Sequence, residues 1–271
     1  MATPAGNGQH GVLVGEPAWR VQLRVVGALI LREMITRYGR RNIGFLWLFI
    51  EPALFTLIIT IFWTATRSVH GSDLPIVAFA LTGYSAVQLW RNLPGRCIGA
   101  IASNRSLLHH RQVTVIDLYA SRLALEIMAA TMAFGLLAIV FAVAGFVEWP
   151  EDVMQVLIGW LLLAWFGIGL ALVMAGLADR FAVVGRLWPP LSYVLFPLSG
   201  TAFIVDALPS GLQEVVLWLP MLNALEFLRE GWFGSVMRAH YDIGYVAVFN
   251  LVLLLFGLSF VRQGGQGMSE E

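Results

Sequence analysis

Three groups of side chains in this sequence could do chemistry. All 17 of its cationic side chains are Arg, and it contains no Lys. A P-loop needs a phosphate-cradling Lys and Schiff-base chemistry needs an amine, so both are excluded, and ATP-driven work would need an ATPase on another chain. The first group is Arg37-Tyr38-Gly39-Arg40-Arg41. Its guanidinium groups could grip phosphates or sugar carboxylates through paired hydrogen bonds, which would suit a substrate entrance or gate. Attraction to anionic lipid, with a part in setting topology, would explain the same cluster without any substrate.

The second group sets Leu107 and Leu108 beside His109, His110 and Arg111. Apolar side chains on a connecting loop are what a docking helix presents to a partner's groove, so this segment is a candidate contact with an ATPase. Asp179-Arg180 would be a second, shorter contact. Neighbouring His side chains point about 100° apart on a helix, and no carboxylate or Cys accompanies them, so neither a metal site nor a catalytic residue is expected. Cys97 stands alone and can form no internal disulfide. The third group is Glu51-Pro52, early in an apolar run. A carboxylate there costs ~2.5–3.5 kcal/mol and must face a partner or water, while Pro52 frees a carbonyl and bends the helix. The pair reads either as a kinked polar lining near a cytoplasmic mouth or as a structural Glu capped by a neighbouring helix.

The sequence holds 10 Trp and 17 Phe. Trp63, Trp90, Trp149 and Trp232 fall near the ends of apolar runs or between them, where membrane-interface belts need no ligand. Trp160, Trp165, Trp188 and Tyr193 lie deeper. They are the candidates for lining a channel, with core packing as the competing reading.

The elements that must position these groups follow from composition. With 58% hydrophobic and 13% charged residues the chain cannot build a soluble surface, and a formal net charge of zero suggests no nucleic-acid partner. Apolar runs at 45–66, 75–93, 118–147, 153–177, 187–205 and 243–261 each approach or exceed the ~17–25 residues that cross a bilayer. An all-α membrane protein with six transmembrane helices is therefore expected. All the Arg except Arg67, Arg229 and Arg238 fall on one side of such a bundle, which puts both termini in the cytoplasm. Residues 1–16 read as a flexible tail with no cleavable signal behind them, and 263–271 as a cytoplasmic tail. In 17–41, Leu23, Val26, Ile30 and Met34 recur at helical spacing between i, i+4 charges. That is the pattern of an amphipathic helix at the cytoplasmic interface, serving as an anchor or as a functional element. Arg122 and Glu126 pair four apart near the start of the third run. The segment 206–242 is too apolar for a loop and is broken by Pro209, Gly211, Pro220 and Gly231. Two short helices, 209–219 and 221–230, would form a re-entrant hairpin dipping in from the outer face.

The stretch from Leu31 to Trp63 resembles the start of type-2 ABC exporter permeases, in particular the KpsM-like permeases that export capsular polysaccharide. Arg32-Glu33, Arg37-Tyr38, Gly44, Trp47 and Glu51-Pro52 carry the likeness, and the segments from Leu107 to Glu126 and from Leu219 to Gly234 extend it. It covers 17–262. The resemblance implies a permease domain over 42–262, a second copy of the chain, and two copies of an ABC ATPase that bind ATP and magnesium. It also implies a lipid-linked acidic polysaccharide as cargo, a bacterial inner-membrane location, and a periplasmic co-polymerase and outer-membrane channel as further partners. Export of O-antigen or teichoic acid is the nearest alternative. A lipid-linked glycan transferase would require paired acids or His at a membrane surface, and a lone secondary transporter would require intramembrane acids and an internal repeat. Neither pattern is evident.

Overall fold

A computed structural model describes residues 17–38, 42–66, 74–108 and 113–267. These residues are helical, with no strand among them. Four long helices open the order: α1 (Ala18–Tyr38), α2 (Asn42–Thr66), α3 (Ile76–Cys97) and, after the short turns α4 (Ala100–Ser103) and α5 (Arg105–Leu108), α6 (Val115–Val143). There follow α7 (Val153–Arg180), α8 (Ala182–Leu198), α9 (Ser210–Val216), α10 (Pro220–Phe233) and α11 (Ile243–Gly267). A backbone in lipid must satisfy its own polar groups, and a helix does so within one segment. Among the described residues, Val115–Val143, Val153–Arg180 and Ile243–Gln263 are long and apolar enough to cross a membrane.

Local chemistry sets the helix ends. At the start of α6, Thr114 and Asp117 form a reciprocal capping box, with Thr114 N donating to Asp117 Oδ2 at 2.8 Å. At its other end Gly145 takes a φ of 75°, and the amide of Phe146 donates back to Phe141 O at 2.9 Å. That closes a Schellman turn, so the helix stops short of the 147 read from the apolar run. Asp152 caps α7 by accepting from Gln155 N at 2.9 Å. The helix α8 begins five residues before the expected 187 and ends at Leu198, because the chain turns at Gly200, whose φ is 78°. A Cβ there would lie 2.2 Å from Leu222 Cδ1. Pro189, Pro190 and Pro197 are accommodated inside α8, and α2 runs through Pro52 as continuous helix.

The helix α7 is the centre of the bundle and packs against α11, α10, α3 and α8. Small residues let four backbones come close, as interhelical contacts in lipid require. A Cβ added at Gly167 would meet Leu93 and Trp90 of α3, one at Gly169 Leu253 of α11, one at Gly176 Phe260 of α11, and one at Gly159 Leu228 of α10. The two contacts with α11 rise together along the chain, so α7 and α11 run parallel. By contrast, Gly95 of α3 faces Trp188 of α8 and Ile98 meets Gly185, so α8 runs opposite to α3, while Thr56 of α2 meets Gln88 of α3. The helix α1 lies along α6, with Ile30 and Met34 packed on Leu125 and Ala129.

Candidate functional site

At the end where α3 finishes, Gly99 with φ 72° turns the chain into α4. The α4–α5 turn and the α7–α8 junction, far apart in sequence, enclose a recess of about 360 Å³. Ile101, Ala102 and Arg105 line one wall and Asp179, Arg180 and Ala182 the other. Asp179 and Arg180, expected to contact a partner, line the recess, whereas Leu107 and Leu108 do not, the turn that carries them contributing Arg105 instead. Tyr119 donates its hydroxyl to Asp179 Oδ2 at 3.0 Å and so ties α6 to the recess. Arg180 bonds Gln263 and lies over the Phe260 ring, 5.1 Å from its centroid. Leu107 and Leu108 are half-buried rather than fully displayed, and Leu108 packs against a core cluster with Val115. His109, His110 and Arg111 lie outside the described residues.

The same end holds α1 through a polar clasp. Arg32 Nη1 donates to Asn104 Oδ1 at 2.8 Å, and Gln22 donates to Asp117. Arg122 and Glu126, expected to pair with each other, each reach another helix: Arg122 Nε stands 3.3 Å from Glu33 Oε1, and Arg96 Nε 3.1 Å from Glu126 Oε1. Arg122 Nη1 also donates to Arg96 O at 2.7 Å. The apolar face of α1 is not quite the expected one. Leu29, Ile30 and Met34 turn toward α6, whereas Leu23 is 63% exposed beside Trp19, Leu31 and Ile35. Arg37 and Tyr38 end this helix and Glu51 and Pro52 sit in α2, while Arg40 and Arg41 lie outside the described residues.

The deep aromatics divide. Trp160 is buried, stacks on Phe134 with centroids 4.6 Å apart, and donates to Thr131 Oγ1 at 2.9 Å. Trp188 is buried in the same core cluster and Trp165 packs against it. Tyr193 alone is on an exposed face, and the Arg91 guanidinium lies 5.3 Å from its ring centroid and 5.6 Å from that of Phe196.

At the opposite end, sequence reasoning missed a buried ionic node. Arg229 of α10 is fully buried with its guanidinium 3.7 Å from the centroid of the Phe79 ring. It donates to the carbonyls of Gly200 at 2.6 Å, Phe203 at 3.2 Å, Thr201 at 3.3 Å and Phe79 at 3.4 Å. Glu226, also fully buried, accepts from the amides of Val205 and His240, each at 3.4 Å. Two charges thus fasten α10 to α3, to the turn after α8 and to the loop before α11. The signal in the sequence was an acid and a base three apart within an otherwise apolar segment. Nearby, Glu230 accepts from Gln155 Nε2 at 2.6 Å and from the Tyr241 hydroxyl at 2.5 Å. Burial and that carboxylate push the Tyr241 phenol up to about 12.

A lysine-free bundle of long apolar helices, with a recess and a polar clasp at one end, is the architecture of a membrane permease. Residues 24–233 match the family model described as ABC-2 type transporter. The chain is 46% identical over 251 residues to the capsule polysaccharide export inner-membrane protein CtrC of Neisseria meningitidis serogroup B, covering 93% of this chain and 95% of that one. It is 43% identical, with the same coverage, to the capsule polysaccharide export inner-membrane protein BexB of Haemophilus influenzae. To the polysialic acid transport protein KpsM of Escherichia coli it is 27% identical over 250 residues, 92% of this chain and 97% of that one. The chain belongs to the ABC-2 type transporter family. It is a multi-pass inner-membrane permease, not an enzyme, and nucleotide hydrolysis resides in a separate ATPase subunit.

Proposed function

We propose that this chain is the membrane subunit of an exporter that carries lipid-linked acidic capsular polysaccharide across the bacterial inner membrane. Identity of 46% across nearly the whole length of a capsule polysaccharide export inner-membrane protein carries the reading. The working unit is a homodimer with two ATPase subunits, and a periplasmic co-polymerase and an outer-membrane channel take the polymer onward. In each protomer α2, α3, α6, α7, α8 and α11 cross the membrane over 42–262, with both termini cytoplasmic and 206–242 re-entering from the periplasm. The recess between the α4–α5 turn and the α7–α8 junction supports an ATPase contact there, because it joins two segments at the end where Arg side chains gather. Closure of the ATPases would press on that recess and move rigid helices to open a path between protomers. The α1 helix, with Arg37 and Tyr38 in its last turn and Arg40 and Arg41 next in sequence, gates the entrance together with Glu51 and Pro52.

The test is complementation in the host. Deleting the gene is expected to abolish surface polysaccharide while polymer accumulates in the cytoplasm, and a plasmid copy restores export. A copy with Arg37, Arg40 and Arg41 replaced by Gln is expected to insert and retain its ATPase yet export little, since the paired donors for anionic groups are gone. Undiminished surface polymer in the deletion strain would refute the function. Undiminished polymer with the triple variant, at matched abundance, would reduce the cluster to a lipid anchor.

A further inference from the structure

Beside the start of α11 lies a second recess, of about 530 Å³, made by the α9–α10 turn and the loop that enters α11. Its walls carry Glu214, Trp218, Tyr241, Asp242 and Tyr245, with His240 as the only basic side chain among its lining residues. His240 is already committed, its Nε2 standing 3.0 Å from Asp206 Oδ1. The recess is therefore aromatic and anionic. Three aromatic side chains and two carboxylates, with no Arg among the lining residues, make a site for an organic cation, because ring quadrupoles and carboxylates both attract positive charge.

The walls are held in place rather than adaptable. The Tyr245 hydroxyl donates to Trp218 O at 2.6 Å, and the Asp242 amide donates to Asn223 Oδ1 at 2.9 Å. Asn223 in turn donates to Leu217 O at 2.7 Å and Leu219 O at 3.0 Å. Asp242 Oδ1 accepts from Tyr245 N at 2.9 Å and caps α11. Such cross-bracing orders the rings before any ligand arrives, so binding loses less to entropy.

What the cation belongs to is indicated by the surface the recess opens onto. Along α11 below it, Val248, Val252 and Leu255 are exposed at spacings of four and three, with Leu251 and Phe256 beside them. Trp218 and Val215 at the rim are 76% and 64% exposed. An apolar stripe on the helix that starts at an anionic aromatic pocket, itself apolar enough to cross the bilayer, matches an amphiphile with a positive head and acyl chains. We propose that this recess binds a phospholipid with a primary ammonium headgroup, the ammonium between Glu214, Asp242 and the aromatic rings and the chains along α11. The inference rests on the membrane placement of α11 and not on the cargo assigned above.

The test uses the full chain purified with its ATPase in detergent and offered mixed micelles of dioleoylphosphatidylethanolamine or dioleoylphosphatidylglycerol. Retained lipid is counted by native mass spectrometry. The wild type is expected to hold one phosphatidylethanolamine per protomer in preference to phosphatidylglycerol. Glu214→Gln with Asp242→Asn keeps the helix cap, which Asn supplies as well as Asp, but removes both charges. It is expected to lower that preference roughly three- to tenfold. Trp218→Ala, at an exposed site that cannot endanger folding, is expected to lower it in the same direction. Equal retention of the two lipids by the wild type would overturn the proposal, as would an unchanged preference in the charge-removed variant. Saturable binding of an oligolysine peptide without lipid selectivity would overturn it in favour of a basic protein segment.

Discussion

Arg229 draws separate parts of the chain together around one guanidinium. Its donors reach four carbonyls contributed by α3 and by the turn after α8. Gly83 is part of the same device, since a Cβ there would lie 2.5 Å from Arg229 Nη2 and 3.1 Å from Thr201 O. Removing one member of a buried, hydrogen-bonded charge pair leaves the other uncompensated, a cost of about 3–5 kcal/mol. Arg229→Met is therefore expected to lower the thermal unfolding midpoint in detergent markedly, and Arg229→Lys to recover little, because an ammonium cannot reproduce the planar fork. Gly83→Ala is expected to act in the same direction. A midpoint for Arg229→Met within error of the wild type would mean that water has replaced the guanidinium. Only the spacing of acid and base was legible beforehand: the sequence counts Arg229 as one of three Arg on the outer side of the bundle, and the packing of α10 against α7 and α3 shows it and Glu226 enclosed.

At the scale of elements, the apolar runs located the helices to within a few residues wherever a single long run was flanked by caps, as at α6 and α7. They failed at α8, whose start is fixed by a break at Phe181 and whose end is fixed by a left-handed glycine. Of the face expected on α1, Ile30 and Met34 pack on α6 and Leu23 does not, because the helix carries apolar side chains on both sides and periodicity barely distinguishes them. The recess at the α4–α5 end escaped sequence reasoning altogether, being built from segments more than seventy residues apart. It makes a direct prediction. Ala182 is exposed on its wall, so Ala182→Trp is expected to fill the recess without disturbing the bundle. Co-purification of the ATPase is expected to fall at least tenfold while insertion stays normal. Undiminished ATPase recovery would move the contact elsewhere.

For the whole molecule, the parallel run of α7 with α11 and the opposed run of α3 and α8 agree with an alternating bundle, and a topology experiment checks its orientation. In a Cys97→Ser background, Cys introduced at Ser72 or Ser210 is expected to react with an impermeant thiol reagent added to the periplasm, and Cys introduced at Ser103 is not. Labelling at 103 in intact cells would invert the bundle or change its number of crossings.

The close approaches along α7 have a mechanical meaning. Over 28 residues this helix extends about 42 Å. Its last turn carries Asp179 and Arg180 in one recess, while its first holds α10, with the Asp152 amide on Gly231 O at 2.8 Å and the Gln155 side chain on Phe227 O at 3.1 Å. Between them, glycines lock it against α3 and α11 with no slack for a side chain to absorb. A rod seated this tightly is expected to pass a load applied at the recess to the segment that Arg229 anchors at its other end, as one stiff linkage.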